Sequence, residues 1–195
     1  MRTIVIATGN EGKLKEFKDL FPQCEVLSLK DIGYTKEIIE DGLTFEENAL
    51  LKAKQVSLET GRIVIADDSG LEVNALHGAP GIHSARYAGD HNTEANNQLL
   101  LKNMEGIADR RAQFVCVICM YFPDGRYVFA KGVCEGKITR FLRGTNGFGY
   151  DPCFYIEEYG KTMAELPLQI KNKISHRAKA IQRLKELMNE NFSFE

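Results

Sequence analysis

The chain has 195 residues, 44% apolar and 27% charged, the balance of an ordinary water-exposed globule that builds a core without staples. Twenty-five basic residues against 27 acidic ones give a net charge of −2, which excludes a whole-surface basic field for gripping a nucleic-acid backbone. No apolar run reaches the roughly 18–20 residues that a membrane span requires.

The length predicts a single domain over residues 1–195, or one core with a small lobe. Met1–Ala7 is too short and too soon polar for a signal peptide, and Thr3–Ala7 is expected to be a buried first strand. Leu14, Phe17, Leu20 and Phe21 recur at helical spacing before Pro22, and Cys24–Leu29 reads as a second strand. Thr44-Phe45-Glu46-Glu47 is a capping box that opens a helix ending at Gly61. Ile63–Ala66 is expected to be a buried strand, ended by Asp67-Asp68-Ser69-Gly70. Thr93 is expected to cap a helix to about Met104. Arg111–Phe122 and Arg126–Val133 flank the turn Pro123-Asp124-Gly125 as a hairpin. Ser175 is expected to cap a last amphipathic helix carrying Ala178, Ile181, Leu184, Leu187 and Met188. Helices that alternate with strands, followed by a hairpin, predict an α/β fold with a mixed sheet.

Five cysteines at irregular spacing suit reduced thiols in a cytosol. Cys116 and Cys119 form a C-x-x-C inside a continuous apolar run. Residues three apart on a strand face opposite sides, so they are expected to be core thiols rather than a redox or zinc pair.

Four polar stretches carry the candidate chemistry. Thr8-Gly9-Asn10-Glu11-Gly12-Lys13 stands where a strand hands over to a helix. Unpaired N–H groups and the helix dipole favour an anion there; a capped helix with one surface lysine is the alternative. It lacks the P-loop pattern. Asp67 and Asp68 are adjacent acids after a buried strand, where a hard cation such as Mg²⁺ would offset their repulsion and carry phosphates. A solvated Asx turn is the alternative. Adjacent aspartates weaken a haloacid-type phosphotransfer reading, which needs D-x-D. Gly144–Pro152 sets Phe148 and Tyr150 among three glycines, either as a stacking platform for a base or as plugs of the core. Lys171–Arg177 puts His176 and Arg177 in the first turn of the last helix, against its dipole. That placement suits an external anion or a basic surface turn. Lys52 joins this chemistry or is a solvated helix lysine. His77, His83 and His91 lack the spacing of a helical zinc pair, and Ser69 has no evident histidine base nearby.

Taken together, the motifs resemble the inosine triphosphate pyrophosphatase family, the non-canonical purine nucleoside triphosphate pyrophosphatases. T-G-N-x-x-K stands at Thr8–Lys13, G-L-T-F-x-E-N-A at Gly42–Ala49 with Glu40 upstream, and A-D-D-S-G-L at Ala66–Leu71. G-A-P-G-I-x-S-A-R-Y stands at Gly78–Tyr87, G-F-G-Y-D-P at Gly147–Pro152, and S-H-R at Ser175–Arg177. The resemblance implies a mixed central sheet flanked by helices, two lobes with a cleft between them, and a homodimer. It implies cytoplasmic hydrolysis of ITP, dITP and XTP to the monophosphate and pyrophosphate, before their incorporation into DNA or RNA, with Mg²⁺ as cofactor. By matching position, it makes Asp68 the general base and, with Glu40, a metal carboxylate. Thr8, Gly9, Asn10, Lys13, Lys52 and Ser69 would take the phosphates. Phe148 would stack on the purine, and Gly149, Tyr150, Asp151, Lys171, Ser175, His176 and Arg177 would shape the base pocket. Asn74 stands where the family often has Asp, and Ala178 follows S-H-R where Gly is frequent. The rivals are a pyrophosphatase for modified pyrimidine or methylated nucleotides and a nucleotide sensor without hydrolysis.

Overall fold

The computed structural model describes residues 3–8, 13–14, 17–18, 21–89 and 92–191. Of the sequence expectations, those on Gly9, Asn10, Gly12, Leu20 and His91 lie outside these residues. The strands are β1 (Thr3–Ile6), β2 (Glu25–Ser28), β3 (Ile63–Val73), β4 (Arg111–Tyr121), β5 (Tyr127–Ile138), β6 (Phe154–Ile156) and β7 (Lys161–Thr162). They form one seven-stranded sheet in the order β2-β1-β3-β4-β5-β6-β7. β1 pairs in parallel with β2 and β3, whereas β5–β6 and β6–β7 are antiparallel, so the sheet is mixed as expected. The α-helices whose bounds lie among the described residues are α1 (Phe45–Thr60), α2 (Thr93–Asn103), α3 (Leu168–Ile174) and α4 (His176–Asn191).

The chain divides into two compact units. The first comprises Met1–Asp68, Cys116–Lys131 and Ala180–Glu195. Its core joins Ile4 and Ile6 of β1 to Cys116, Ile118 and Met120 of β4, and to Phe17, Leu184 and Met188 from helical segments. The period-2 spacing of these strand residues marks one sheet face. Cys119, also fully buried, falls on the other parity. The C-x-x-C therefore belongs to the core, as its apolar setting predicts. The second unit comprises Ser69–Val115 and Gly132–Lys179. Leu71, Val73, Leu100, Phe114, Ile138, Tyr150, Phe154 and Met163 lie in its core.

Helix boundaries follow their capping chemistry. The Thr44 hydroxyl accepts the Glu47 N–H at 3.1 Å, and Gly61, left-handed at φ 65°, closes α1 on the Ser57 carbonyl. The return arm of the predicted capping box lands one residue early, because the Glu47 carboxylate takes the Leu43 N–H at 2.6 Å. α2 is capped by Asn92 rather than Thr93, its side-chain oxygen accepting the Ala95 N–H at 3.0 Å. Ser175 caps α4 through the Ala178 N–H at 3.1 Å, as expected.

Three expectations are corrected. β3 does not stop at Ala66 but runs through Asp67-Asp68-Ser69-Gly70 to Val73. Sheet pairing overrides the polar composition there, and Asp67 finds a cation inside the fold. β5 extends to Ile138, well past Val133. Lys171–Ile174 is not a turn leading into the last helix but part of α3, a short helix of its own.

Burial raises the Cys119 and Cys153 thiols to about 12, so their reactive thiolates are scarce at neutral pH. Of the five cysteines only Cys24 is partly exposed. Titration with a thiol reagent at pH 8 is expected to show one fast thiol in the native protein and five after denaturation. A second fast thiol would contradict this burial pattern.

Candidate active site

In the first unit, a cavity of about 280 Å³ is lined by Ala7, Thr8, Lys13, Leu29, Ile38, Glu40, Lys52 and Asp67. The parallel register of β1 on β3, Ile6 opposite Ile65, brings the chain after β1 beside Asp67. The Ala7 N–H extends that pairing to the Ile65 carbonyl at 2.8 Å.

Two lysines serve three acids here. Lys13 Nζ lies 2.6 Å from Asp67 Oδ2, whose side chain is only 2% exposed. Lys52 Nζ lies 3.3 Å from Glu40 Oε1 and 3.8 Å from Asp68 Oδ1. Asp67 and Asp68 are strand neighbours and so face opposite sides of β3, which gives each its own lysine. The solvated reading of Lys52 is overturned, because its side chain is 10% exposed. Glu40 and Asp68, far apart in sequence, meet at one ammonium. Ser69 follows in β3, half-buried.

The charge count bears on a metal. Three carboxylates against two ammonium groups leave this cluster net negative among the described residues. Among these residues, no group of three His, Cys, Asp or Glu side chains is arranged to hold an ion alone. Mg²⁺ characteristically uses one or two carboxylates and completes its octahedron with substrate phosphates and water. Glu40 and Asp68, already converging on a cation, fit that donor set.

In the second unit, the Gly144–Pro152 loop separates its two aromatics. Tyr150 is a core residue, its hydroxyl donating to the Ser84 carbonyl at 2.7 Å, and burial pushes its phenol pKa up. Phe148 is 66% exposed, which sets aside the core-plug reading for this ring alone. The Arg177 guanidinium lies 5.9 Å from the Phe148 ring centroid, at the edge of cation–π range. Lys171 Nζ meets Asp151 Oδ2 at 2.5 Å. Burial pushes the Asp151 carboxyl above its ordinary value, against the opposing pull of Lys171 and, more weakly, Arg177. Ser175 and His176 enter α4 beside Arg177, and His176 stacks on Phe114 with centroids 5.0 Å apart. Asn74 lines a separate cavity of about 480 Å³ with Arg111, Gln113 and Glu135.

Several supporting residues escape sequence reading. Asn97, buried in the middle of α2, donates to the Gly149 carbonyl at 2.9 Å and accepts the Cys153 thiol at 3.2 Å. The Ser84 hydroxyl accepts the Leu71 N–H at 2.8 Å, so the Gly78–Tyr87 segment ties the strand motif to the aromatic loop. Asn97 does not stand out by type or spacing, and Ser84 was visible only as one position of the Gly78–Tyr87 motif. Gly147 was visible as part of G-F-G, but its reason was not: at φ 96°, a Cβ there would strike the Asp151 carboxylate and the Lys171 ammonium.

A profile of the Ham1 family matches residues 4–187. The chain belongs to the Ham1 family. It is 51% identical to the dITP/XTP pyrophosphatase of Bacillus licheniformis over 97% of this chain and all of that one. It is 50% identical to the enzyme of the same name from Listeria innocua, over 97% of this chain and 96% of the relative. Among solved Ham1 structures, the Staphylococcus aureus protein superposes with a TM-score of 0.94 at 47% identity, covering 97% of this chain and 99% of that one. The Coxiella burnetii protein gives 0.93 at 40% identity, covering 97% and 100%. The Ham1 match runs through all six motifs that carry the sequence resemblance.

Gly147→Ala is expected to raise the KM for ITP at least about tenfold and to lower Tm, because Asp151 and Lys171 must separate around the new methyl. Gly33→Ala, also left-handed but in open space, serves as the control for backbone strain alone. Equal KM values for the two variants would remove the steric argument.

Proposed function

We propose that this chain hydrolyses ITP, dITP and XTP to the nucleoside monophosphate and pyrophosphate. It is a nucleoside triphosphate pyrophosphatase of the Ham1 family, an assignment supported by curated relatives near 50% identity over almost its whole length. The observation that carries the chemistry is the convergence of Glu40 and Asp68 on Lys52, with the Lys13–Asp67 pair lining the same cavity.

The reaction needs a water aimed at the α-phosphorus. The new bond joins the water oxygen to that phosphorus, and the bridging bond to the β-phosphate breaks. The electron pair leaves with pyrophosphate. Asp68 takes the proton of the water as general base. Lys13 and Lys52 stabilise the charge gathering on the departing group, exchanging carboxylate partners for phosphate oxygens as they do so. Glu40 and Asp68 would hold Mg²⁺, which when bound would supply charge neutralisation and lower the pKa of water. Thr8 borders the cavity, Ser69 follows Asp68, and both are assigned to the phosphates with Gly9 and Asn10.

Phe148 offers an exposed ring to the purine, with Gly149 beside it. Lys171, Arg177, Ser175 and His176 bring donors, and Asp151 brings an acceptor held by Lys171. The 6-keto oxygen of hypoxanthine or xanthine accepts where adenine carries an amino donor, so donors aimed at that edge reject adenine. Tyr150 serves the loop from the core rather than by presenting its ring. The same reading makes the protein a cytoplasmic homodimer that clears the nucleotide pool. Cysteines without disulfides agree with a reducing compartment, and no helix of the described residues is long and apolar enough to cross a membrane.

The primary test is a panel of purine and pyrimidine triphosphates assayed with Mg²⁺, both products being identified. ITP, dITP and XTP are expected to dominate, with pyrophosphate as the inorganic product. Release of orthophosphate alone would overturn the assignment. Asp68→Asn is expected to abolish turnover while ITP binding persists; retained turnover would remove the general base. Lys13→Ala should weaken triphosphate binding more than monophosphate binding, and equal losses would take Lys13 away from the phosphates. Phe148→Ala should raise KM by ~5- to ~150-fold, the equivalent of about 1–3 kcal/mol of base stacking. An unchanged KM would detach the ring from the base.

A further inference from the structure

Glu40 sits in a stretch with no helix or strand, residues 37–42, and the backbone of that stretch is held by side chains of α1. The Gln55 amide grips it on both sides of Ile38. Its Nε2 donates to the Glu37 carbonyl at 2.8 Å, and its Oε1 accepts the Ile39 N–H at 3.2 Å. These are the two bonds that a parallel strand makes around a paired residue. Gln55 Nε2 also donates to the Tyr34 hydroxyl at 3.0 Å, so the donor side of the amide serves two acceptors.

Alternation then decides where the side chains go. In extended backbone, residues 38 and 40 share a face, and Ile38 and Glu40 both line the cavity that Lys13 and Lys52 line. Residue 39, on the other parity, is left 58% exposed. Downstream of Glu40, the buried Asn48 side chain accepts the Gly42 N–H at 2.9 Å. A Cβ on Gly42 would lie 2.8 Å from that same Asn48 oxygen, which shows how closely the chain is drawn onto α1. The Lys52 ammonium, also on α1, then reaches the carboxylate at 3.3 Å. One helix thus fixes the chain before and after Glu40 and touches its side chain.

We propose that Gln55 is a positioning residue that aims the Glu40 carboxylate at the catalytic cation. The inference rests on the reading above in which Glu40 helps hold Mg²⁺. Gln55 is not among the residues that line the cavity. It acts through the backbone of residues 37–39, one step further out than the groups bonded directly to a metal ligand, whose loss commonly weakens metal binding by about 10- to 100-fold.

The test compares Gln55→Ala, Glu40→Gln and the wild type. Amide hydrogen exchange of the nucleotide-free protein reads the clamp directly. In Gln55→Ala the Ile39 amide is expected to exchange at least about tenfold faster, while the Gly42 amide, held by Asn48, keeps its wild-type rate. The Mg²⁺ concentration giving half-maximal ITP hydrolysis is expected to rise about tenfold, with kcat at saturating Mg²⁺ within about twofold of wild type. Binding of Mn²⁺, measured by paramagnetic resonance with an α,β-methylene analogue of ITP, should weaken in parallel. Gln55→Glu keeps the acceptor for Ile39 and should fall between the two. If Glu40→Gln moves the Mg²⁺ midpoint and Gln55→Ala does not, the positioning role is overturned while the Glu40 reading stands. If neither moves it, the Glu40 reading fails and the inference falls with it.

Discussion

The first unit is organised around one ammonium group. Lys52 occupies a helix position whose side chain is nearly closed to water, and a lysine there is costly unless its charge is met. Glu40 and Asp68 meet it from opposite directions in the sequence, one from an irregular segment and one from a central strand. Each of the three groups makes the others tolerable. Two carboxylates converging without a cation would repel, and a buried ammonium without an anion would lose its charge. The same electrostatic requirement thus gathers, at one place in the first unit, the residues to which the proposed function assigns the chemistry.

The second unit solves a different problem. It must hold an aromatic ring in the open without letting the loop that carries it collapse into the core. Tyr150 goes inward and bonds Ser84, Asn97 takes the Gly149 carbonyl, and the Asp151–Lys171 pair nests against Gly147. Phe148, between these anchors, has nowhere to bury itself and remains exposed. These anchors tie down the loop on both sides of the ring.

Much of this is legible in the sequence. The mixed sheet followed from alternating elements and one hairpin, and α1 and α4 from Thr44, Gly61 and Ser175, because caps depend on local chemistry that a few residues specify. The end of β3 is not legible because Asp67-Asp68-Ser69-Gly70 looks like a turn, and a cation that helps make a buried aspartate acceptable in a strand, Lys13, comes from 54 positions away. Lys52 was ambiguous for the same reason, since helix spacing does not reveal a tertiary anion. Phe148 and Tyr150 were indistinguishable by composition, and their opposite fates depend on the Ser84 carbonyl, 66 positions from Tyr150. What stayed hidden was long-range pairing; what showed was local.

The unbroken course of β3 through its acidic pair gives the strand a second meaning. Adjacent residues on a strand point to opposite sides, so Asp67 and Asp68 divide their work by parity alone. Slipping the strand by a single position would hand each lysine the wrong neighbour and misplace side chains in a stretch, Val64–Asp67, that is buried throughout. Insertions or deletions of one residue between Gly61 and Asp67 are therefore barred twice, by packing and by chemistry, and hydrogen-bond alignment in the sheet becomes part of how this enzyme tells its two aspartates apart.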